Sequence, residues 1–281
     1  MRIPAPQTLR RSLYVAGGLA IVLAALAFRS GIFWITAAGA FLSGWEYRSI
    51  SAPRSGTASR FFSAWVSLSC GALCVALARI STPGMAVLCG LALLAFVSEL
   101  FSAPRDASNA RFDRPRAGSV LVEFLAGPMY FGAFLAFVIL LRERENGVAW
   151  IALLLVSTWG GDIGAYATGK ALGRHSLLAS VSPAKTVEGA IGGLVTATLL
   201  SLALGVAIRP VISPGEALWA GALSQALAQL GDGMESQMKR KRRVKDSGRL
   251  LGPQGGILDC IDGICLAAPF LYALAGIRAA P

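Results

Sequence analysis

Four side chains with chemistry to offer recur at helical spacing late in the chain: Asp232, Glu235, Ser236 and Lys239, at i, i+3, i+4 and i+7. They continue an apolar run that begins at Ala217, so one helical face presents two carboxylates, a hydroxyl and an ammonium. A basic cluster follows (Lys239, Arg240, Lys241, Arg242, Arg243, Lys245, Arg249), interrupted by Asp246. Gly252, Pro253, Gln254, Gly255 and Gly256 then close a tight turn. Beyond it a new apolar run carries Asp259 and Asp262, three apart. Acids at helix ends beside a dense basic loop suit a divalent cation shared with phosphates, carboxylate oxygens taking the metal and lysines and arginines the phosphate oxygens. The plainer reading is a membrane anchor loop with carboxylates at helix ends. It explains the basic residues better than the acids, because carboxylates near a membrane boundary are costly without partners.

A second group lies upstream. Asp162 and Tyr166 stand at i, i+4 in WGGDIGAYATG, within an apolar run, and an acid at that depth is a functional candidate. The stretch Ser182-Pro183-Ala184-Lys185-Thr186-Val187-Glu188-Gly189 reads as a helix start, with Ser182 as N-cap and Pro183 as the first helical residue. The free N–H groups and positive dipole end of such a start favour an anion, and Lys185 adds a point charge. The alternative is simply a capped membrane span. His175, the one histidine, lies in a basic loop and reads as a solvated or head-group residue rather than a general base. Gln225 reads as a helix-packing residue, while Gln229 either packs or faces the site.

These residues need a membrane scaffold. A chain of 281 residues with 55% hydrophobic content, 15% charged residues and a mean hydropathy of +0.62 is too apolar for an ordinary soluble domain. Apolar runs at 12–28, 31–45, 61–78, 85–101, 120–141, 148–166, 186–208, 216–231 and 256–277 predict an all-α, polytopic membrane helical bundle with about nine transmembrane helices. The first run is read as a retained helix rather than a cleaved leader, because more membrane follows it. Glu46, at the end of the second run, either lies at the interface or faces the interior. The whole chain, 1–281, reads as a single integral-membrane domain.

The formal charge of +11 resides in short loops between apolar runs, which suits anionic head groups and phosphates and not nucleic acid. With nine spans, the side opposite the N-terminus holds only Arg29, Arg79, Arg142, Arg144, Arg209 and Arg278 of the 26 lysines and arginines. That asymmetry places the N-terminus and every candidate site loop in the cytoplasm. Five cysteines (Cys70, Cys74, Cys89, Cys260, Cys265) show no metal-ligand spacing, and all but Cys260 read as small buried hydrophobes.

The pattern S-x-M-K-R-x4-K-D-x-G-x2-L-G-x-Q-G-G-I-x-D-C-x-D over 236–262 resembles the signature of the phosphatidate cytidylyltransferase (CDP-diacylglycerol synthase) family of integral-membrane enzymes. The upstream D-x-x-A-Y-x-x-G and S-P-x-K-T-x-E-G are similar to the region that precedes that signature, so the resemblance covers a catalytic motif region at 159–263. The first 150 residues match mainly in hydropathy. Two positions depart from the pattern: Gln254 stands where the family has His, and Cys260 where it has Arg.

The resemblance implies a reaction of phospholipid biosynthesis, CTP plus phosphatidate giving CDP-diacylglycerol and pyrophosphate, at the cell (inner) membrane with Mg²⁺ as cofactor. Carried over position by position, it implies Asp232, Asp259, Lys239 and Asp246 as catalytic residues. Asp232 and Asp259 would hold the metal, with Asp262 and Glu235 as further ligands. Ser182, Lys185, Thr186, Glu188, Ser236, Arg240, Lys245, Gln254 and Asp162 would bind substrate. It also implies a homodimer. Three other readings share these residues. One is a CTP-dependent transferase or kinase for another lipid, of polyprenyl type. The second is a catalytically silent lipid-binding relative, since Gln254 cannot exchange a proton near neutral pH and Cys260 lacks a bidentate guanidinium. The third is a transporter using its intramembrane acids as an ion path.

Overall fold

The structure, a computed structural model, describes residues 7–28, 30–51, 94, 117–179, 181–252 and 255–278. The apolar runs at 61–78 and 85–101, apart from Leu94, and Gln254 lie outside the described residues. The described chain is mostly helical: α1 Gln7–Ala27, α2 Gly31–Ser51, α3 Ala117–Glu143, α4 Gly147–Leu172, strands β1 Ser176–Leu178 and β2 Ser182–Thr186, α5 Val187–Ala207, α6 Pro214–Lys241 and α7 Leu258–Arg278. Among the described residues, three stretches are long and apolar enough to cross a membrane: α4, α5 and Leu258–Ile277 of α7.

Hydropathy locates these helices but not their ends. Helices α2, α4 and α6 all run on past the apolar stretch that announces them, because nothing in the polar residues that follow breaks a helix. In α4 the helix passes through Lys170, whose charge suits a C-terminus, and stops only at Gly173, which turns to extended geometry. In α6 the last turn holds Lys239, Arg240 and Lys241, again complementing the dipole. Asp232, Glu235, Ser236 and Lys239 thus belong to one uninterrupted helix.

The expected helix start at Ser182 is corrected. Ser182–Thr186 is a strand, paired antiparallel with Ser176–Leu178, and the helix begins at Val187, four residues after Pro183. A residue before proline is pushed toward extended backbone, so Ser182 continues a strand as readily as it caps a helix. Thr186 is the real N-cap, its hydroxyl accepting from the Gly189 N–H at 3.1 Å. Lys185 therefore projects from a strand and not from a first helical turn.

The chain divides into two compact units, Met1–Ala136 with Met238–Cys260 and Phe137–Gln237 with Ile261–Pro281. In the first, α2 buries Ile32, Thr36, Ala40, Ser43 and Tyr47, one stripe at i, i+4, i+8, i+11 and i+15. The ring of Tyr47 meets that of Phe131 on α3 at 6.1 Å. In the second, α5 turns Gly189, Gly193, Ala197, Ser201 and Gly205 inward, a small-residue stripe that lets backbones approach. Gly164 of α4 faces the Thr196 side chain and Gly192 of α5 faces that of Thr168, and a Cβ at either glycine would overlap its partner. The outer face of α5 exposes Ile191, Val195, Leu199 and Val206, as a helix with lipid on one side does.

Candidate active site

The second unit gathers five of the expected residues around one turn of α6. Lys185 Nζ lies 2.6 Å from Asp232 Oδ2 and donates to Ser236 Oγ at 3.3 Å. Ser236, one turn on from Asp232, donates to Asp232 Oδ1 at 3.5 Å. Oxygens of Asp232, Glu235 and Asp262 all lie within 4.8 Å of one another. This convergence depends on a close approach of α7 to α6: Gly231 sits against the Asp262 carbonyl oxygen, where a Cβ would collide. Asp262 Oδ1 accepts from the Gly263 N–H at 2.7 Å, which fixes the carboxyl group's direction.

Three carboxylates this close repel one another. At an effective dielectric near 20, two unit charges about 5 Å apart cost on the order of 3 kcal/mol, less at Asp232, whose side chain is 42% exposed. Lys185 offsets part of this, and the all-oxygen donor set fits a hard divalent cation. Glu235 and Asp262 are buried while Asp232 is open on one side, so such an ion would be held from within and reached from without.

Asp162, on an exposed side of α4 in the same unit, accepts from Gln225 Nε2 at 3.3 Å. Gln225 is fully buried and fills the space left by Gly161, which accords with its reading as a packing residue. Gln229 Nε2 donates to the Ala190 carbonyl at 3.0 Å, also a packing bond. Glu188, in the first turn of α5, stabilises a helix N-terminus and accepts from the N–H groups of Arg174 and His175 at 3.1 and 3.3 Å. His175 Nδ1 lies 2.6 Å from Glu188 Oε1 while its ring stays largely exposed. Glu188 thus ties down the chain that leads into the hairpin carrying Ser182, Lys185 and Thr186.

The first unit holds a separate cluster. Lys239 Nζ donates to Asp259 Oδ1 at 2.6 Å, with both side chains about nine-tenths buried. Asp259 Oδ2 also accepts from the N–H groups of Gly256 at 2.7 Å and Ser247 at 3.0 Å. An acid in the first turn of α7 faces the helix's positive end, which accounts for main-chain N–H groups converging on it. Arg240 Nη1 donates to the Val244 carbonyl at 3.1 Å, folding the basic loop back on itself. Lys245 and Asp246 are exposed in that loop. Glu46 and Ser247 join this cluster through a hydrogen bond of 3.0 Å. Of the two positions the sequence allows Glu46, interfacial or interior, the structure shows it buried.

The sequence profile of the cytidylyltransferase family matches residues 9–277. Proteins named phosphatidate cytidylyltransferase are among the similar relatives. That of Bacillus subtilis is 38% identical over 147 residues, covering 52% of this chain and 55% of the relative. That of Brucella suis is 40% identical over 157 residues, 56% of this chain and 58% of the relative. That of Haemophilus influenzae is 34% identical over 186 residues, 64% and 63%. The chain spans little more than half the length of the curated relatives it matches. With the profile running through nearly the whole sequence, the chain belongs to the cytidylyltransferase family.

Proposed function

We propose that the chain is a phosphatidate cytidylyltransferase, transferring CMP from CTP to phosphatidate to give CDP-diacylglycerol and pyrophosphate. The observation that carries this reading is the Asp232, Glu235 and Asp262 cluster with Lys185 paired to it, in a chain of this family. An oxygen of the lipid phosphate attacks the α-phosphorus of CTP, and the bond to the β-phosphate breaks as pyrophosphate leaves. The attacking phosphate is already an anion, so the protein supplies alignment and charge neutralisation and no nucleophilic side chain.

Asp232, Glu235 and Asp262 would hold Mg²⁺, and Asp259, in the first unit, is a further carboxylate of the family motif. The bound ion would neutralise phosphate oxygens and the departing pyrophosphate. Lys185 and Ser236 are poised to exchange their bonds to Asp232 for bonds to a phosphate oxygen. Arg240 and Lys245 offer further cationic donors from the basic loop, and Lys239 is held in place by Asp259. Ser182, Thr186 and Glu188 shape the hairpin and helix start that present Lys185. Asp162 offers a carboxylate from α4, bonded to Gln225 of α6, while Asp246 and Gln254 belong to the same signature segment.

We place the chain in the inner membrane with about nine spans, its N-terminus and site loops cytoplasmic, where CTP and Mg²⁺ are available, and acting as a homodimer. Incubation of the detergent-solubilised protein with labelled CTP, Mg²⁺ and phosphatidate tests the reaction. Label appearing in the lipid phase supports it, and label confined to the aqueous phase overturns it.

A further inference from the structure

The N-terminus of α7 has an unusual cap. Its first helical residue is Leu258, and the position before it is Ile257, which has no side-chain acceptor to offer. The acceptor comes from Glu46 on α2. Glu46 Oε1 accepts from the Ile257 N–H at 3.0 Å, and Oε2 from the Leu258 N–H at 2.9 Å and from Ser247 Oγ at 3.0 Å. Glu46 is 6% exposed, and the residues it holds lie 201 to 212 positions away in sequence.

Space is reserved for it. A Cβ at Gly248 or at Gly256 would land on the Glu46 carboxylate, so two glycines of the signature loop are explained by room for this one side chain. Ser247 is gripped twice, its hydroxyl by Glu46 and its N–H by Asp259. Glu46 and Asp259 therefore clamp the same turn from two sides, and Asp259 carries the ion pair to Lys239.

The geometry points to Glu46 as a positioning residue for the signature loop, setting the placement of Asp259 and Lys239 through the α7 N-terminus and Ser247. Capping alone does not account for it, because a serine at position 257 would cap the helix without the cost of burying a carboxylate. This role rests on the cytidylyltransferase reading above. Its mark is a loss of turnover in protein that still folds, since misplacing catalytic groups by about 1 Å can cost on the order of a hundredfold. Glu46→Gln keeps the shape but replaces one acceptor oxygen with a donor, leaving a buried N–H facing an N–H.

The experiment pairs hydrogen–deuterium exchange across 247–262 with steady-state kinetics on the full-length protein in detergent. In Glu46→Gln, exchange at Ile257 and Leu258 should quicken by about tenfold or more. The kcat of the folded fraction should fall about ten- to a hundredfold, with KM for CTP within about twofold of wild type. If Glu46→Gln does not accumulate, Glu46→Asp, which keeps both acceptor oxygens on a shorter arm, is read by the same two measurements. Unchanged exchange overturns the clamp, and faster exchange with unchanged kcat reduces Glu46 to a helix cap and overturns the positioning role. A wild type that forms no CDP-lipid overturns the reaction and the role together, and the exchange result then shows that the reading of the reaction failed and not the contact.

Discussion

Lys185, on a strand, reaches Asp232, on α6, with Nζ 2.6 Å from Oδ2. Both side chains are partly exposed, at 27% and 42%, so the pair can open to admit a ligand at modest cost. A lysine that neutralises a carboxylate before substrate arrives, and a phosphate afterwards, is the simplest use of that arrangement.

Lys185→Met should therefore weaken substrate binding more than it weakens the fold. Losing one charge-assisted bond costs about 1.5–3 kcal/mol, which corresponds to a rise of roughly ten- to a hundredfold in KM for CTP or the lipid. Accumulation in the membrane should stay near wild type. Kinetics of purified variant and wild type check this, and a KM unchanged for both substrates would remove Lys185 from the site.

Asp232→Asn, Glu235→Gln and Asp262→Asn each remove one formal charge from the carboxylate cluster while keeping its shape. Each should lower turnover by about a hundredfold or more and raise the Mg²⁺ concentration needed for half-maximal rate. Chelation with EDTA should abolish the wild-type reaction, and added Mg²⁺ should restore it. Asp259→Asn should also abolish turnover with the protein still in the membrane. Full activity in Asp232→Asn would sink the metal assignment.

Gly231 and Gly233 give opposite expectations two residues apart on one helix. A Cβ at Gly231 meets the Asp262 carbonyl oxygen, whereas one at Gly233 meets only the Leu178 side chain at an ordinary 3.6 Å. Gly231→Ala should destabilise by about 1–3 kcal/mol, and Gly233→Ala should be neutral or stabilising by up to about 1 kcal/mol. Thermal unfolding in detergent compares them directly.

How much of this was legible in the sequence depended on the range of the interaction. Hydropathy over a local window located every described helix, and helical spacing put Asp232, Glu235 and Ser236 on one face. The start of α5 misled, because Ser182-Pro183 has the composition of a helix cap and the choice of strand is made by pairing with Ser176–Leu178. Lys185 stood out in the sequence as a candidate phosphate ligand, but its partnership with Asp232 did not, since no local pattern joins a hairpin to a helix across the length of α5. Glu46 was visible only as a charge at the end of an apolar run. Its partners lie more than 200 residues away, and only the folded chain brings them together.

The proposed topology rests on the charge asymmetry. A reporter fused after Arg249 should read cytoplasmic, and one fused at Pro281 should read external. A cytoplasmic C-terminus would require a different number of spans.

The most direct measurement uses CTP labelled at the α-phosphate, with purified protein, Mg²⁺ and phosphatidate, run beside Asp232→Asn in the same detergent. Wild type should place the label in a lipid product and release one pyrophosphate for each CDP-lipid formed, while Asp232→Asn should do neither. No labelled lipid from wild type, or equal labelling by both proteins, would contradict a CTP-dependent transfer to phosphatidate centred on the Asp232 cluster.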